Sequence, residues 1–354
     1  MKLAVAAAGT GGHVFPALAV AEQLVAQGTA PEDIIFFGGD RLEASVVPEA
    51  GFDLVQVEIQ GLRRRVSFDN IRLLRQVASA QQRFRSVIKE REIRAVLAMG
   101  GYVTGPAALA ARRARIPLVL HEQNAVPGLA NRLAARFATR ILVGFPAAVS
   151  RLPGARVVGN PIREAFAARV PSASTARTAY GLDPSRPVVG IMGGSQGADA
   201  LNHAAAVLAG FPEFQLLHLA GPDQAGEWIE ASEDREDWVV IAFESRMERF
   251  YAAADVVVAR AGALTVSELA ATGTPSVLVP LQGPAAHQGA NAEFLVEAGA
   301  GELLDQHDLA MLPEVIMKIL TPSELRRRAA AAAALGRPGA AAEVARQLIE
   351  VARG

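Results

Sequence analysis

Residues 3–24, LAVAAAGTGGHVFPALAVAEQL, indicate how the chain folds. Six small apolar residues form a predicted strand, three glycines follow, and a helical pattern begins at His13. Glycines at such a turn let backbone N–H groups approach an anion, and the positive end of the helix dipole favours negative charge there. The stretch therefore predicts a βα unit that binds a phosphate-containing ligand, with a side chain that titrates near neutral pH at its mouth.

The same succession of strand, glycine turn and helix recurs at residues 188–208, VVGIMGGSQGADALNHAAAVL. Strand-like runs alternate with helical patterns along the whole chain, which is typical of βα units around parallel sheets. The predicted class is α/β, with two Rossmann-like domains facing one another across a cleft. We predict strands at Leu3–Ala8, Ile34–Gly38, Leu54–Glu58, Ala95–Met99, Leu118–His121, Arg140–Val143, Val188–Met192, Gln215–Leu219, Trp238–Ala242, Val256–Ala259 and Ser276–Val279.

The segment 157–166, VVGNPIREAF, marks the predicted domain boundary, because Gly159-Asn160-Pro161 breaks the pattern. The charge changes sign at this point: residues 1–160 contain 20 Lys and Arg against 12 Asp and Glu, and the remainder contains 15 against 24. We therefore predict domains at 1–160 and 161–338. A final helix at 339–354 is expected to pack back on the N-terminal domain.

The composition describes a globular chain of 354 residues, long enough for two domains, with 51% hydrophobic and 20% charged residues. It contains no cysteine, which excludes disulfides, thiolate catalysis and cysteine metal sites and agrees with a reducing cytoplasm. We expect no signal peptide, and no apolar run approaches the ~20 residues of a membrane-spanning helix.

Residues 61–94 form the most basic segment, with ten basic and three acidic residues. Apolar side chains are interleaved among them, and this mixture suits an anionic membrane surface. An amphipathic helix with a solvated arginine face is the alternative. Nucleic acid is not expected as a partner, since no nucleic-acid motif is present. The apolar residues are Phe68, Ile71, Leu73, Leu74, Val77 and Phe84.

Four loops that follow strands are candidates for ligand binding: Gly9–His13 and the loops that begin at Gly100, Gly193 and Arg260. Four such loops, each opening a helix, predict a phosphate-containing ligand. A dinucleotide fingerprint fails at Val14, and a P-loop fails where Ala198-Asp199 follows Gly197, so the sequence supports neither NAD(P) binding nor ATP hydrolysis. No spacing indicates a metal site.

Several polar residues have two interpretations at this stage. His13 is either a turn cap or a general base, and Glu268 completes a possible capping box with Thr265. His121 and Glu122 are polar turn residues or substrate contacts, and Glu122 and Tyr102 remain alternative bases. His203 and His218 are interpreted as core or surface histidines. Thr321, Pro322 and Glu324 predict a capped helix start.

Six motifs, in order and along nearly the whole chain, resemble the MurG family of peripheral-membrane glycosyltransferases. They are GTGGHVFPALAVAEQL, GGYVTGPA, HEQNAVPGLANRLAAR, VVGNPIR, GGSQGA and ARAGALTVSELAATGTPSVLVP. The resemblance implies the GT-B architecture, with an N-terminal domain on the acceptor and membrane side and a C-terminal domain that binds UDP-sugar. It implies inverting transfer of N-acetylglucosamine from UDP-N-acetylglucosamine to the C4 hydroxyl of lipid I, giving lipid II for peptidoglycan.

The resemblance also implies partners and a place in the cell. The expected partners are UDP-N-acetylglucosamine, lipid I, an anionic membrane surface on the cytoplasmic side and other cell-wall synthesis proteins, with no cofactor and no metal. The protein is expected to be peripheral on the cytoplasmic face of the cell membrane.

Carried onto this sequence, the resemblance makes His13 the general base and assigns Glu268 to the ribose hydroxyls. Two departures stand out: Glu244 replaces an aliphatic residue beside the uracil, and Pro284-Ala285-Ala286 replaces polar residues before Gln288. The implied substrate-binding residues are Thr10, Gly11, Gly12, Asn124, Arg163, Ser195, Glu244, Ala263, Leu264, Thr265, Glu268 and Gln288.

Three other functions remain open at this stage. A UDP-N-acetylglucosamine 2-epimerase shares the architecture and the donor but needs no lipid acceptor. A non-catalytic scaffold would bind UDP-sugar at the membrane without turnover. A Rossmann dehydrogenase is disfavoured by Val14.

Overall fold

The computed structural model describes residues 1–58, 69–166, 170–194, 197–281, 283 and 287–354, which form two compact units. Unit 1 comprises Met1–Glu164 with Pro338–Gly354, and unit 2 comprises Ala165–Arg337. Each unit holds one sheet of parallel strands, with helices between most consecutive strands. The α/β class with two parallel sheets is therefore confirmed, and the cleft between the domains stays a prediction.

Regular structure in the described residues consists of thirteen strands, fourteen α-helices and five short 3₁₀ helices. The strands are β1 (Leu3–Ala6), β2 (Ile34–Gly38), β3 (Asp53–Gln56), β4 (Ala95–Ala98), β5 (Leu118–Glu122), β6 (Arg140–Val143), β7 (Arg156–Val157), β8 (Val188–Met192), β9 (Gln215–Leu219), β10 (Trp238–Ile241), β11 (Val256–Ala259), β12 (Ser276–Leu278) and β13 (Gly301–Leu303). The helices are α1 (Gly11–Ala26), α2 (Glu43–Glu49), α3 (Asp69–Glu90), α4 (Thr104–Ala114), α5 (Leu129–Ala134), α6 (Ala173–Ala179), α7 (Asp199–Leu208), α8 (Ala225–Ser232), α9 (Met247–Ala253), α10 (Ala263–Thr272), α11 (Gln288–Val296), α12 (Leu312–Ile319), α13 (Pro322–Leu335) and α14 (Ala340–Arg353).

The sheet of unit 1 has the strand order β3-β2-β1-β4-β5-β6-β7. Its inner strand β1 is buried along its whole length, and Leu3 pairs with Ile34 on one side and Ala95 on the other. Helices α1 and α14 pack together, and residues of both belong to one core cluster with alternate residues of β1. Helix α4 and the described part of α3 from residue 80 onward contribute apolar residues to a second cluster, which contains the other residues of β1. The C-terminal helix is thus part of unit 1.

The sheet of unit 2 has the order β10-β9-β8-β11-β12-β13. One core cluster joins β8, β9 and β11 to α7, α8 and α12. The Phe250 ring packs directly on the backbone of β8 at Gly190, where an added Cβ would lie 3.0 Å from the ring. The strand order reverses beside β8, just as it does beside β1 in unit 1.

Two strands were not predicted from the sequence, β7 and β13. Both lie at a sheet edge, and they contain two and three residues. Such strands are too short to show hydrophobic alternation in the sequence. Their position is set by pairing with β6 and β12. Eleven predicted strands are present, with ends that differ by up to two residues.

The basic segment 61–94 is described in part, since residues 61–68 lie outside the described residues. Arg75, Arg83 and Arg85 on α3 are exposed. Phe84 was grouped with the membrane-facing residues, and that interpretation is wrong: its ring is fully buried and stacks on Phe37 with centroids 4.2 Å apart. Among helices of the described ranges, none has the length and apolar composition needed to cross a bilayer.

The start of α13 is confirmed, with Thr321 before the helix and Pro322 as its first residue. The predicted capping by side chains is wrong. The Thr321 hydroxyl donates to the Lys318 carbonyl at 2.9 Å, and Glu324 forms ion pairs with Arg327 and Arg328. Basic residues three and four positions along the helix therefore attract Glu324 away from the helix end.

Candidate active site

The predicted ligand loops lie at the carboxyl edge of each sheet, at the point where the strand order reverses. In unit 1, β1 lies between β2 and β4, so the loops that begin at Gly9 and Gly100 emerge side by side. In unit 2, β8 lies between β9 and β11, so the loops that begin at Gly193 and Arg260 do the same. This is where open α/β sheets bind ligands.

The first glycine loop turns directly into α1. Gly9 has φ +102°, a conformation that side chains rarely adopt, and Thr10 is the N-cap residue with extended backbone. The helix begins at Gly11, two residues earlier than predicted, because the Thr10 carbonyl already accepts hydrogen bonds from the His13 and Val14 amides. The first amides of a helix have no partner inside it, so this turn presents the amides of Gly11 and Gly12 to an anion.

His13 is held between the two glycine loops of unit 1. Its Nδ1 lies 3.3 Å from the Thr10 hydroxyl, and its ring packs on Gly100, where an added Cβ would lie 2.4 Å from Cδ2. Burial lowers the pKa of the imidazole below its usual value, although the negative charge of Glu43 opposes this effect. A neutral, oriented imidazole with Nδ1 already engaged has the properties of a general base acting through Nε2.

Glu43 is the site residue that the sequence analysis missed. It is fully buried, and its carboxylate accepts hydrogen bonds from the Gly9 amide at 3.0 Å, the Gly39 amide at 2.9 Å and the Tyr102 hydroxyl at 2.8 Å. Burial alone would raise the pKa of this carboxyl, but the hydrogen bonds hold it below its usual value. A signal was present in the sequence: Gly38 ends β2 and Gly39 follows it as a further glycine turn, four residues before a carboxylate.

The loop HEQNAVPG, residues 121–128, is organised by Glu122. The buried carboxylate accepts from the Asn124 amide at 2.9 Å, the Gly128 amide at 3.1 Å and the Asn131 side chain at 2.8 Å. It therefore fixes the loop that carries Asn124. The Tyr102 hydroxyl donates to Glu43, so both alternative bases, Glu122 and Tyr102, are engaged in hydrogen bonds of their own.

The segment GNPIR, residues 159–163, is hydrogen-bonded to the same loop. Asn160 donates to the Gln123 carbonyl at 3.0 Å, and His121 Nε2 lies 3.0 Å from the Gly159 carbonyl. Gly144 is required beside it, because a Cβ there would lie 2.2 Å from Asn160 Oδ1. Arg163 lies at the end of the segment. Burial raises the pKa of the Glu22 carboxyl, and the positive charge of Arg163 lowers it in part.

We expect unit 1 to lose stability in mild acid because of His121, which is fully buried. Burial lowers the pKa of its imidazole to about 4, against a weaker opposing hydrogen bond to Gly159. The unfolded chain therefore binds the extra proton first, and stability falls as pH decreases from the unfolded pKa towards the folded one. The expected loss between pH 7.5 and 5 is roughly 2 kcal/mol from this residue.

Urea unfolding at several pH values, with His121→Gln beside the parent, measures this loss. The variant should show a shallower pH dependence than the parent, and His307→Gln, at an exposed position, should match the parent. Equal slopes for His121→Gln and the parent would contradict the prediction.

In unit 2, the glycine loop after β8 depends on close backbone approach. Ser195 falls outside the described residues. A Cβ on Gly193 would lie 2.3 Å from the Ala198 amide nitrogen, and one on Gly197, where φ is +77°, would lie 2.4 Å from the Ala220 carbonyl. Asn202 supports the turn by donating to that carbonyl at 3.1 Å. His218 is a core histidine, since it is buried and bonds to Asn202.

The loop after β11 places the motif GALTVSE at the start of a helix. Helix α10 begins at Ala263 with Gly262 as its N-cap residue, so Ala263, Leu264 and Thr265 form its first turn. The capping-box interpretation is therefore wrong, because Thr265 lies inside the helix. Glu268 lies one turn further on, where its carboxylate accepts a hydrogen bond from the buried Tyr251 hydroxyl at 2.9 Å.

Two further candidate residues lie on neighbouring loops of unit 2. Gln288 is the first residue of α11, and its Oε1 accepts from the Leu281 amide at 2.9 Å. Asn291 on the same helix donates to the Ala261 carbonyl at 3.2 Å, which ties α11 to the loop before α10. Residues 284–286 lie outside the described residues.

Glu244 is buried, and its carboxylate is bound by donors of unit 2. It accepts from the Tyr180 hydroxyl, from the Arg246 amide at 2.7 Å and from Arg249 at 2.9 Å. Burial would raise the pKa of this carboxyl, and these donors together hold it below its usual value. The side chain thus fixes its own loop.

Comparison with known proteins gives the family. The N-terminal domain of glycosyltransferase family 28 matches residues 3–143, and the C-terminal domain of that family matches residues 188–344. A relative from Alkalilimnicola ehrlichii is 43% identical, with 100% of this chain and 99% of the relative covered. Its name is UDP-N-acetylglucosamine–N-acetylmuramyl-(pentapeptide) pyrophosphoryl-undecaprenol N-acetylglucosamine transferase. The crystal structure of Acinetobacter baumannii MurG has a TM-score of 0.78 and 30% identity, covering 99% of this chain and 100% of that one. This chain belongs to the MurG family.

Membership in the MurG family confirms the resemblance found in the sequence and the two-domain GT-B class. A UDP-GlcNAc 2-epimerase from Neisseria meningitidis also matches, with a TM-score of 0.69 at 13% identity over 99% of this chain and 100% of that one. At that identity the likeness shows the fold alone. The MurG family is thus separated from the epimerase by sequence, while the architecture is common to both.

Proposed function

We propose that this chain transfers N-acetylglucosamine from UDP-N-acetylglucosamine to the C4 hydroxyl of lipid I, with inversion at the anomeric carbon. One observation carries the proposal: the relative from Alkalilimnicola ehrlichii, named as this transferase, matches along 100% of the chain at 43% identity. The geometry at the edge of each sheet supports it, because unit 1 holds a buried imidazole beside its glycine loops and unit 2 holds the first turn of α10 and an oriented carboxylate at Glu268.

In unit 1, His13 is the proposed general base. The acceptor hydroxyl gives its proton to Nε2 while its oxygen bonds to the anomeric carbon and the bond from that carbon to UDP breaks. For Nε2 to act as the base, Nδ1 must carry the proton, and the Thr10 hydroxyl, 3.3 Å from Nδ1, is placed to accept it. The amides of Gly11 and Gly12 are proposed to face the acceptor's pyrophosphate and to approach the donor. Asn124 and Arg163, on the hydrogen-bonded loops of unit 1, are proposed substrate contacts.

In unit 2, the amino end of α10 is the proposed site for the donor's diphosphate. Ala263, Leu264 and Thr265 supply the amides of the first turn, where the helix dipole stabilises the charge that grows as UDP leaves. Ser195, although outside the described residues, and Gln288 are proposed contacts as well. The backbone at Glu244 is proposed to meet the uracil.

The ribose hydroxyls are proposed to bind Glu268, whose carboxylate is already oriented by Tyr251. We expect Glu268→Ala to weaken UDP binding by roughly 10–100-fold, as loss of hydrogen bonds to a charged group costs about 1.5–3 kcal/mol. Calorimetric titration with UDP and with 2′-deoxy-UDP measures this. The parent should discriminate between the two ligands, and the variant should not.

Glu293→Ala, at an exposed position of α11, is the matched control and should bind both ligands as the parent does. Undiminished discrimination in Glu268→Ala would contradict the assignment of the ribose to this residue.

The acceptor side is proposed to lie against the cytoplasmic face of the membrane. The support is the basic segment 61–94, where the described side chains of Arg75, Arg83 and Arg85 are exposed cations on α3. Such cations are attracted to anionic lipid. Other proteins of cell-wall synthesis are proposed partners on the strength of the family alone.

Labelled UDP-N-acetylglucosamine, with and without a short-chain lipid I analogue, tests the proposal. Label should move to the lipid and UDP should appear in step with it, and neither should happen without acceptor. Consumption of donor in the absence of acceptor would favour the epimerase, and binding without turnover on a competent acceptor would favour the scaffold.

A further inference from the structure

Glu43 connects three loops of unit 1 through one buried carboxylate. Gly9 follows β1, Gly39 follows β2, and Tyr102 lies in the loop after β4. Oε2 accepts from Gly9 at 3.0 Å, and Oε1 accepts from Gly39 at 2.9 Å and from Tyr102 at 2.8 Å. These strands are neighbours in the sheet, in the order β2-β1-β4. One side chain therefore ties together the loops on both sides of the point where the strand order reverses.

Close packing around Glu43 leaves these loops little freedom. A Cβ on Gly39 would lie 1.8 Å from the Tyr102 hydroxyl, and a Cβ on Gly101 would lie 2.2 Å from the Ala8 carbonyl. The Tyr102 hydroxyl thus fits into the space that a side chain at residue 39 would fill. The arrangement holds the loop after β4 directly against the loop after β1.

All three groups that face Glu43 are donors. An ionised carboxylate accepts from each of them, and it lies in the first turn of α2, where the helix dipole favours negative charge. A glutamine has the same length but only one acceptor oxygen, so its NH₂ group would face a backbone N–H. The site therefore requires the two acceptor oxygens of a carboxylate, and a side chain of the same size with one acceptor oxygen does not satisfy it.

We propose that Glu43 is a positioning residue for the proton transfer, because its carboxylate fixes both the loop that leads into the first turn of α1, where His13 lies, and the loop on which the His13 ring packs. Gly9 begins the first loop. The His13 ring packs against Gly100, which lies two residues before Tyr102. This role rests on the proposed function, in which His13 is the base. It adds a residue outside the glycine motifs to the machinery of the acceptor site.

The charge of Glu43 has a second effect on His13. Burial favours the neutral imidazole, and the nearby carboxylate raises the imidazole pKa against that effect. The carboxylate therefore makes His13 a stronger base and stabilises the imidazolium that forms when it accepts the proton. The other charged or titratable groups at this cluster are Tyr102, Asp40 and Arg41, and the last two act on the Tyr102 hydroxyl with opposite signs.

The test compares Glu43→Gln, Glu43→Asp and a control, Glu49→Gln, at an exposed position of the same helix. Two quantities are measured in the full-length protein: kcat for transfer to a lipid I analogue, and the His13 pKa by NMR titration of the ring protons. We expect Glu43→Gln to lower kcat about tenfold or more and to lower the His13 pKa. Glu43→Asp should restore the His13 pKa, since the charge returns, and leave kcat low, since its reach is shorter. Glu49→Gln should match the parent in both.

An unchanged kcat together with an unchanged His13 pKa in Glu43→Gln would overturn the proposal, as would a folded Glu43→Gln that loses activity with no change in the His13 pKa. If Glu43→Gln does not fold, Glu43→Asp decides: parental kcat overturns the proposal, and lowered kcat with a parental His13 pKa supports it. The NMR titration needs no turnover. Absence of transfer by the parent would therefore count against the proposed function, while the role of Glu43 would still be judged by the His13 pKa.

Discussion

Replacing His13 by alanine is expected to lower kcat by about 10²–10⁴-fold, the usual contribution of a general base. The expectation follows from the position of the imidazole between the two glycine loops of unit 1 and from the burial that keeps it neutral. Binding of UDP-N-acetylglucosamine should change little, because the proposed contacts of the donor's diphosphate and ribose lie in unit 2. Steady-state kinetics with a lipid I analogue, together with calorimetric titration of the donor, measures both effects.

The acid side of the pH profile gives a second readout. Protonation of His13 removes the base, so kcat should fall as pH decreases, and burial places this fall below the usual histidine pKa. His307→Ala, at an exposed position, should retain parental kcat and profile. Parental kcat in His13→Ala would remove this residue from the reaction and return attention to Glu122 or Tyr102.

Gly100→Ala is expected to lower kcat by about 10²-fold, because the added Cβ would clash with the His13 ring. Gly100 has φ +105°, and the Cβ would lie 2.4 Å from His13 Cδ2 and 2.8 Å from Nε2. The ring must move, and a displaced base loses its alignment with the acceptor hydroxyl. The positive φ adds a loss of stability of about 1 kcal/mol. Kinetics and thermal unfolding separate the two effects.

Gly51→Ala is the matched control. Gly51 also has positive φ, +84°, and an added Cβ meets nothing within 4 Å. It should lose a similar amount of stability and retain parental kcat. Equal kcat in Gly100→Ala and Gly51→Ala would show that the contact between His13 and the second glycine loop is unimportant for catalysis.

Much of the fold could be predicted because each βα unit carries its own local signals. The strand of residues 3–6, its glycine turn and the helix that follows lie within one continuous stretch. Strands β7 and β13 escaped prediction because two or three residues at a sheet edge are placed by pairing with a neighbour. The error at Phe84 has a related cause: an aromatic residue on a basic helix looks exposed until the sheet beneath it is known.

The candidate site could be predicted where chemistry and position coincide in sequence, as at His13. Glu43 could not, because its three donors come from residues 9, 39 and 102, and only the parallel order of β2, β1 and β4 brings them together. Glu244 shows the reverse case. It was taken as a departure beside a ligand, and the structure places its carboxylate in an internal network with Tyr180 and Arg249. Tertiary contacts decide the roles of both carboxylates.

The configuration of the new glycosidic bond tests the central claim most directly. A single attack by the C4 hydroxyl on the anomeric carbon, with His13 taking the proton, inverts the α-linked donor. The disaccharide-lipid formed from UDP-N-acetylglucosamine and a short-chain lipid I analogue should therefore carry a β linkage to C4, as seen by NMR of the purified product. An α-linked product, or sugar attached at another hydroxyl, would contradict the account.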